Sequence, residues 1–193
     1  MAATPSTMLP LGSPCPAFSL SNAVDGAAVS PADYGGAPAL LVMFICNHCP
    51  FVIHVRDELG RVARDYRERG LAIIAINSNS EKTHPQDGPR NMGALARQLE
   101  WRFPFVFDGT QQVAKAFHAA CTPDFYLFDQ ARKLVYRGQL DDSRPGNSIP
   151  VTGRDLRAAI DAALAGGAPI ATQKPSIGCN IKWDRGNEPD YYG

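Results

Sequence analysis

Cys46 and Cys49 stand three positions apart in Phe44-Ile45-Cys46-Asn47-His48-Cys49-Pro50, a spacing at which one helical turn brings two thiols together as a reversible disulfide. The chemistry on offer is thiol–disulfide exchange: one thiolate attacks a disulfide, and the second thiol displaces the product from the mixed disulfide. Cys46, in the more exposed position of such a turn, is expected to attack, and Cys49 to resolve. Asn47 and His48, enclosed by the pair, are the supporting side chains, and a protonated His48 ring lowers the thiol pKa. A Cys-x-x-Cys is also half of a zinc site, which needs two further Cys or His at comparable spacing. Cys15, Cys121 and Cys179 stand alone, and His54 and His118 have no partner at ligand spacing. No metal and no other cofactor is expected.

The neighbouring elements must position the pair. Ala39-Leu40-Leu41-Val42-Met43-Phe44-Ile45 is an apolar run of strand length, as in a strand buried on both faces of a parallel sheet. After the thiols, Val52, Val55, Leu59, Val62 and Tyr66 recur every three or four residues and mark one helix face, with Gly70 as its stop. The other face is charged, with Asp57/Arg61, Arg61/Asp65 and Arg64/Glu68 at i,i+4 spacing. Both cysteines therefore fall at the amino end of a helix leaving a buried strand, where unpaired N–H groups and the helix dipole favour a thiolate.

A second apolar strand, 71–77, follows, so a right-handed parallel crossover is expected. The polar stretch 78–89 reads as a loop beyond the carboxyl end of that strand, where sites gather in open sheets. Glu81, His84, Asp87 and Arg90 are near-site candidates there, with a solvated loop as the favoured reading of each. A helix at 91–99, a short strand at 103–108 and a helix from Thr110 to Phe117 come next. Phe125 to Asp129 and Lys133 to Gly138 make an antiparallel hairpin opened by Pro123, and residues 153–164 a final helix. Ahead of all this, Ala17-Phe18-Ser19-Leu20 reads as a short strand, Asp25-Gly26 as a hairpin-type turn, and Ala28-Val29-Ser30 as the segment that pairs back.

With 193 residues, 45% hydrophobic and 20% charged, the chain fits one domain with an irregular tail over 168–193. The formal net charge is zero, which offers nothing to nucleic acid or an anionic membrane. Five cysteines are too few for a disulfide-dense secreted scaffold. The first ten residues lack a basic segment and an apolar segment, so a cytoplasmic location is the expectation.

Strand, Cys-x-x-Cys, helix, strand, then Thr122-Pro123 opening a hairpin, and a closing helix: this order resembles the thioredoxin-like superfamily. Gly12-Ser13-Pro14-Cys15-Pro16-Ala17-Phe18-Ser19-Leu20, Asp25-Gly26 and Tyr34-Gly35-Gly36 look like its redoxin branch, near the peroxiredoxins of the alkyl hydroperoxide reductase/thiol-specific antioxidant type. The resemblance spans residues 9–165 and implies the core there: an α/β thioredoxin-like fold, a central mixed sheet flanked by helices with an N-terminal hairpin extension. It also implies that Pro123 is cis and faces the disulfide. Laid on the peroxiredoxin pattern, Cys49-Pro50 matches the Cys-Pro, but Cys46 takes the place of the Thr that activates peroxide. The Cys-x-His-Cys arrangement is similar to that of oxidising bacterial disulfide-forming proteins, with Asn47 where those carry Pro.

The expected function is a thiol–disulfide oxidoreductase acting on protein or small-molecule disulfides, recharged by a thiol reductant such as a thioredoxin or glutathione system. One alternative is a thiol peroxidase with antioxidant activity, in which Cys121 or Cys179 is an additional thiol that condenses with a sulfenic acid. For Cys121 an inert buried thiol is the favoured reading. A further alternative is a metal-binding thioredoxin-like chaperone, which requires His84 or His118 to approach the pair.

Overall fold

The structure, a computed structural model, describes residues 3–192. In chain order the strands are β1 (Ala3–Pro5), β2 (Leu20–Ser21), β3 (Ala28–Val29), β4 (Ala39–Phe44), β5 (Leu71–Asn77), β6 (Phe105–Phe107), β7 (Cys121–Thr122), β8 (Asp124–Phe128), β9 (Leu134–Gly138) and β10 (Ile177–Asn180). The helices are α1 (Pro50–Tyr66), α2 (Pro89–Gln98), α3 (Gln112–Ala116) and α4 (Arg154–Leu164). None is long and apolar enough to cross a membrane.

The two apolar runs become the middle of a five-stranded mixed sheet in the order β6-β5-β4-β8-β9. β4 pairs parallel with β5 and antiparallel with β8, and every residue of both β4 and β5 is buried. Side chains alternate across β4. Leu41, Met43 and Ile45 pack with α1, α2 and α4 on one face; Leu40, Val42 and Phe44 pack with Phe117, Tyr126 and Phe128 on the other. Helices on both faces are what a strand without polar positions requires. The β2/β3 hairpin turns at Asp25-Gly26 with Gly26 at φ 77°, as its sequence demands.

The apolar stripe of α1 is buried as its periodicity indicates, and Gly70 ends the following turn at φ 92°. Its charged face is wired differently from the i,i+4 expectation. None of the three expected pairs occurs among the ion pairs of the described residues. Arg61 instead meets Glu58 at 2.5 Å, and Arg157 from α4 bridges Glu58 at 2.7 Å and Asp65 at 2.8 Å. Glu58 is buried, so Arg157 ties α4 to α1 through it, while Arg61 closes an i,i+3 pair with Glu58 within α1.

The tail differs from its irregular reading at one place. β10 lies between β1 and β7 in a second, three-stranded sheet, with Cys179 opposite Thr122 and Asn180 opposite Cys121. Gly178 is required there: a Cβ at this position would sit 2.0 Å from the Thr122 carbonyl oxygen. The end of the chain is thereby laid against the segment that opens the β8/β9 hairpin.

Candidate active site: a buried dithiol

Helix α1 begins after both cysteines, whereas the sequence reading places both at its amino end, with Cys49 further into the helix. Ile45 to Cys49 is non-helical, Cys49 is the N-cap with extended backbone (φ −65°, ψ 124°), and Pro50 opens the first turn. Only Cys49 therefore lies at the helix terminus, where unpaired N–H groups point at an anion. Exposure does not single out Cys46 either, since Cys46 is 1% and Cys49 0% exposed. All five cysteines are free thiols, so the pair is reduced.

Thr122 touches both sulfurs. Its Oγ1 lies 3.5 Å from Cys46 Sγ, and its carbonyl oxygen lies 3.2 Å from Cys49 Sγ, where it can accept from Cys49 only while that sulfur is protonated. The Thr122–Pro123 peptide bond is cis, as the family resemblance implies. Thr122 and Pro123 thus stand beside the pair, where they were placed on resemblance alone.

The two sulfurs divide their protons unequally. Cys49 is drawn down to about 5, first by hydrogen bonding from the Cys46 thiol, against the opposing effect of burial, then by the Cys179 thiol and the Val52 and Cys179 main-chain N–H groups. Cys46 is held well above the ordinary thiol range by its hydrogen bond to Cys49, by burial and by the negative charge of Asp87. The negative charge of the resting pair therefore sits on Cys49, with Cys46 as its donor. This inverts the expectation of a Cys46 thiolate, because the helix terminus is at Cys49 and a carboxylate is beside Cys46.

Asp87, for which a solvated loop was the favoured reading, is fully buried. Its carboxylate accepts from His48 Nδ1 at 2.5 Å, the Asn47 main-chain N–H at 2.8 Å and Asn79 Nδ2 at 2.9 Å, while its carbonyl accepts from Asn77 Nδ2 at 2.9 Å. Burial pushes its pKa up, but the hydrogen bonds from His48, Asn79 and Asn47 outweigh it and hold it below the usual carboxylate range. Asp87 is what fixes the Asn47-His48 turn in place. The amides that position it, Asn77 and Asn79, leave the end of β5; polar side chains directly after a buried strand were the available signal.

Among the other candidates, the His84 ring stacks on His48 with centroids 4.8 Å apart, and its pKa is lowered by burial and by His48. Glu81 and Arg90 are exposed. His118 is stacked on Tyr191, and His54 bonds Ser143 at 2.7 Å. Cys121 is buried, faces the Pro123 carbonyl at 3.7 Å, and is pushed up by burial and by Asp124, in keeping with an inert thiol. The ligand atoms of Cys46, His48 and Asp87 lie within 4.8 Å of one another, and this is the donor set a metal would meet. It mixes a soft thiol with a carboxylate already engaged by three N–H donors.

A protein-family model for redoxin matches residues 10–156. The chain belongs to the redoxin family. It is 55% identical to an uncharacterized conserved protein from Geobacillus kaustophilus, with a TM-score of 0.93 over 95% of this chain and 97% of that one. It is 27% identical over 133 residues to the thiol-disulfide oxidoreductase ResA of Geobacillus thermodenitrificans, covering 68% of this chain and 70% of that protein. A thiol:disulfide interchange protein of the thioredoxin family from Chlorobium tepidum shares the fold, with a TM-score of 0.61, 19% identity, and coverage of 85% of this chain and 99% of that one. The mixed sheet flanked by helices is accordingly a thioredoxin-like fold.

Proposed function

We propose that this redoxin is a thiol–disulfide oxidoreductase that works through the Cys46–Cys49 dithiol. The observation that carries the proposal is the pair itself: two free, buried sulfurs both touched by Thr122, one of them in the N-cap residue of a helix, next to a cis-proline. Cys46 lies on the side of His48, which is half-buried, whereas Cys49 is turned toward Val52 and β10. Cys46 is therefore the sulfur that meets the substrate. As Cys46 attacks a substrate disulfide, its proton passes to the Cys49 thiolate, and the first substrate thiolate leaves. Cys49 then gives up that proton to the departing thiolate and attacks Cys46 Sγ. The Cys46–Cys49 disulfide forms and the second substrate thiolate is released. A thiol reductant of the thioredoxin or glutathione kind reverses these steps.

Insulin reduction in the presence of a small dithiol tests this. Cys46→Ser should lower the rate at least 100-fold, and a variant with full activity would end the proposal. Burial favours a second reading, a thiol peroxidase, because a peroxide reaches a sulfur that is 1% exposed more readily than a protein disulfide does. There the thiolate displaces alcohol or water from the peroxide, and the sulfenic acid condenses with its neighbour thiol to release water. This reading fails if thiol-dependent peroxide consumption does not exceed the rate without protein.

A further inference from the structure

Cys49 has a sulfur on each side. Cys46 is one neighbour; the other is Cys179, which packs in the same buried cluster as Cys49. The placement is built into the fold. β10 pairs with β7 so that Cys179 stands opposite Thr122, whose carbonyl oxygen lies 3.2 Å from Cys49 Sγ. Gly178 allows the close approach, because any larger residue would drive a Cβ into that carbonyl at 2.0 Å. Cys49 and Cys179 are 0% and 3% exposed, so the two thiols adjoin inside the core, away from solvent.

We propose that Cys179 is a third redox thiol of this site, which accepts the disulfide from Cys46–Cys49 by attacking Cys49 Sγ. The Cys49–Cys179 bond forms, the Cys46–Cys49 bond breaks, and the proton lost from Cys179 ends on the departing Cys46 sulfur. No outside oxidant is consumed, because the two oxidising equivalents only move inward. Burial holds the Cys179 thiol up at about 12, so this transfer is slower than formation of the first bond. Its product differs functionally from the first. Cys46 is again a free thiol on the His48 side, Cys49 can no longer resolve a mixed disulfide, and β10 is stapled across the cis-proline segment. The protein is then parked in an oxidised form that a reductant must open before the next cycle. This inference rests on the exchange reading of the dithiol.

The full-length chain, fully reduced, is treated with one equivalent of diamide; remaining thiols are then alkylated and the disulfide peptides mapped by mass spectrometry. In Cys46→Ser most molecules should carry Cys49–Cys179, which closes a long loop and runs faster on a non-reducing gel. In the unaltered chain Cys46–Cys49 should form first and then decline as Cys49–Cys179 grows without added oxidant. Both Cys179→Ser and Cys179→Ala should keep the first bond indefinitely, with circular dichroism confirming the fold. Cys49 left alkylatable, or paired only between molecules, in oxidised Cys46→Ser overturns the inference. Insulin reduction keeps the two proposals separate: activity without any Cys49–Cys179 bond removes only the third thiol, whereas the bond without activity removes only the exchange reading.

Discussion

The acidity of Cys49 comes from what surrounds one sulfur. A thiol that is 0% exposed should titrate high, yet donors from Cys46, Cys179 and Val52 bring it down to about 5. The Cys46 thiol is the largest of these contributions, so Cys46→Ala, which deletes the donor, should move the pH midpoint of the ultraviolet thiolate absorbance upward by at least one unit. A midpoint that stays near 5 in the variant would show that the helix terminus alone holds the charge. The same depression fixes a sign for stability. The folded value lies below the ordinary 9.0, so the thiolate's contribution to the reduced protein is complete above about 9. It falls away as pH drops through about 5. Reduced protein should therefore gain stability over a Cys49→Ala variant between those limits, as measured by urea unfolding across pH.

At the level of elements, what could be read from the sequence followed from periodicity. β4, β5 and α1 carry long regular apolar patterns; β4 and β5 stand within a residue of their expected bounds, and α1 has its expected buried face but starts only after both cysteines. The start of α1 was cued by Pro50, which suits the first helical position and so leaves Cys49 as the cap. β7 and β10 could not be read this way, because strands of two and four residues have no usable period and their pairing joins Thr122 to Cys179, far apart in sequence. Asp87 was hidden for a related reason: its donors come from Asn47, His48 and Asn79, on two different segments. β10 offers an element-level test at Gly178. Gly178→Ala must push β10 off Thr122, since 2.0 Å is far inside van der Waals contact. Overpacking of this kind costs about 1–3 kcal/mol. Denaturant unfolding should show that loss, and the Cys49 midpoint should rise as the Cys179 donors withdraw. An unchanged midpoint would mean that β10 does not support the thiolate.

Across the whole molecule, the site depends on a polar knot that no local pattern announces. Arg137 on β9 and Asp124 on β8 are both 0% exposed and meet at 3.3 Å. Arg137 Nη2 also donates to Thr7 Oγ1 at 2.8 Å, to Tyr126 Oη at 3.1 Å and to the His118 carbonyl at 3.2 Å, and its guanidinium lies 4.9 Å from the Tyr126 ring centroid. Ser6 completes the ring by donating to Asp124 at 2.8 Å. The amino-terminal segment, the turn after α3 and the hairpin are thus tied together directly behind Pro123. Arg137→Ala would leave the Asp124 carboxylate buried without its cation, and breaking such a pair costs about 3–5 kcal/mol. The sign of the pH effect follows from Asp124. Burial already raises its pKa with Arg137 present, and removing the cation raises it further. A carboxyl with a raised folded value destabilises the fold at pH above its unfolded value, and this penalty disappears as protonation neutralises it. The deficit of Arg137→Ala should therefore be largest near neutral pH and shrink on acidification through the carboxylate range. Parallel urea titrations of both proteins would show it. A deficit that is constant with pH would mean that lost packing, and not the stranded charge, accounts for the cost.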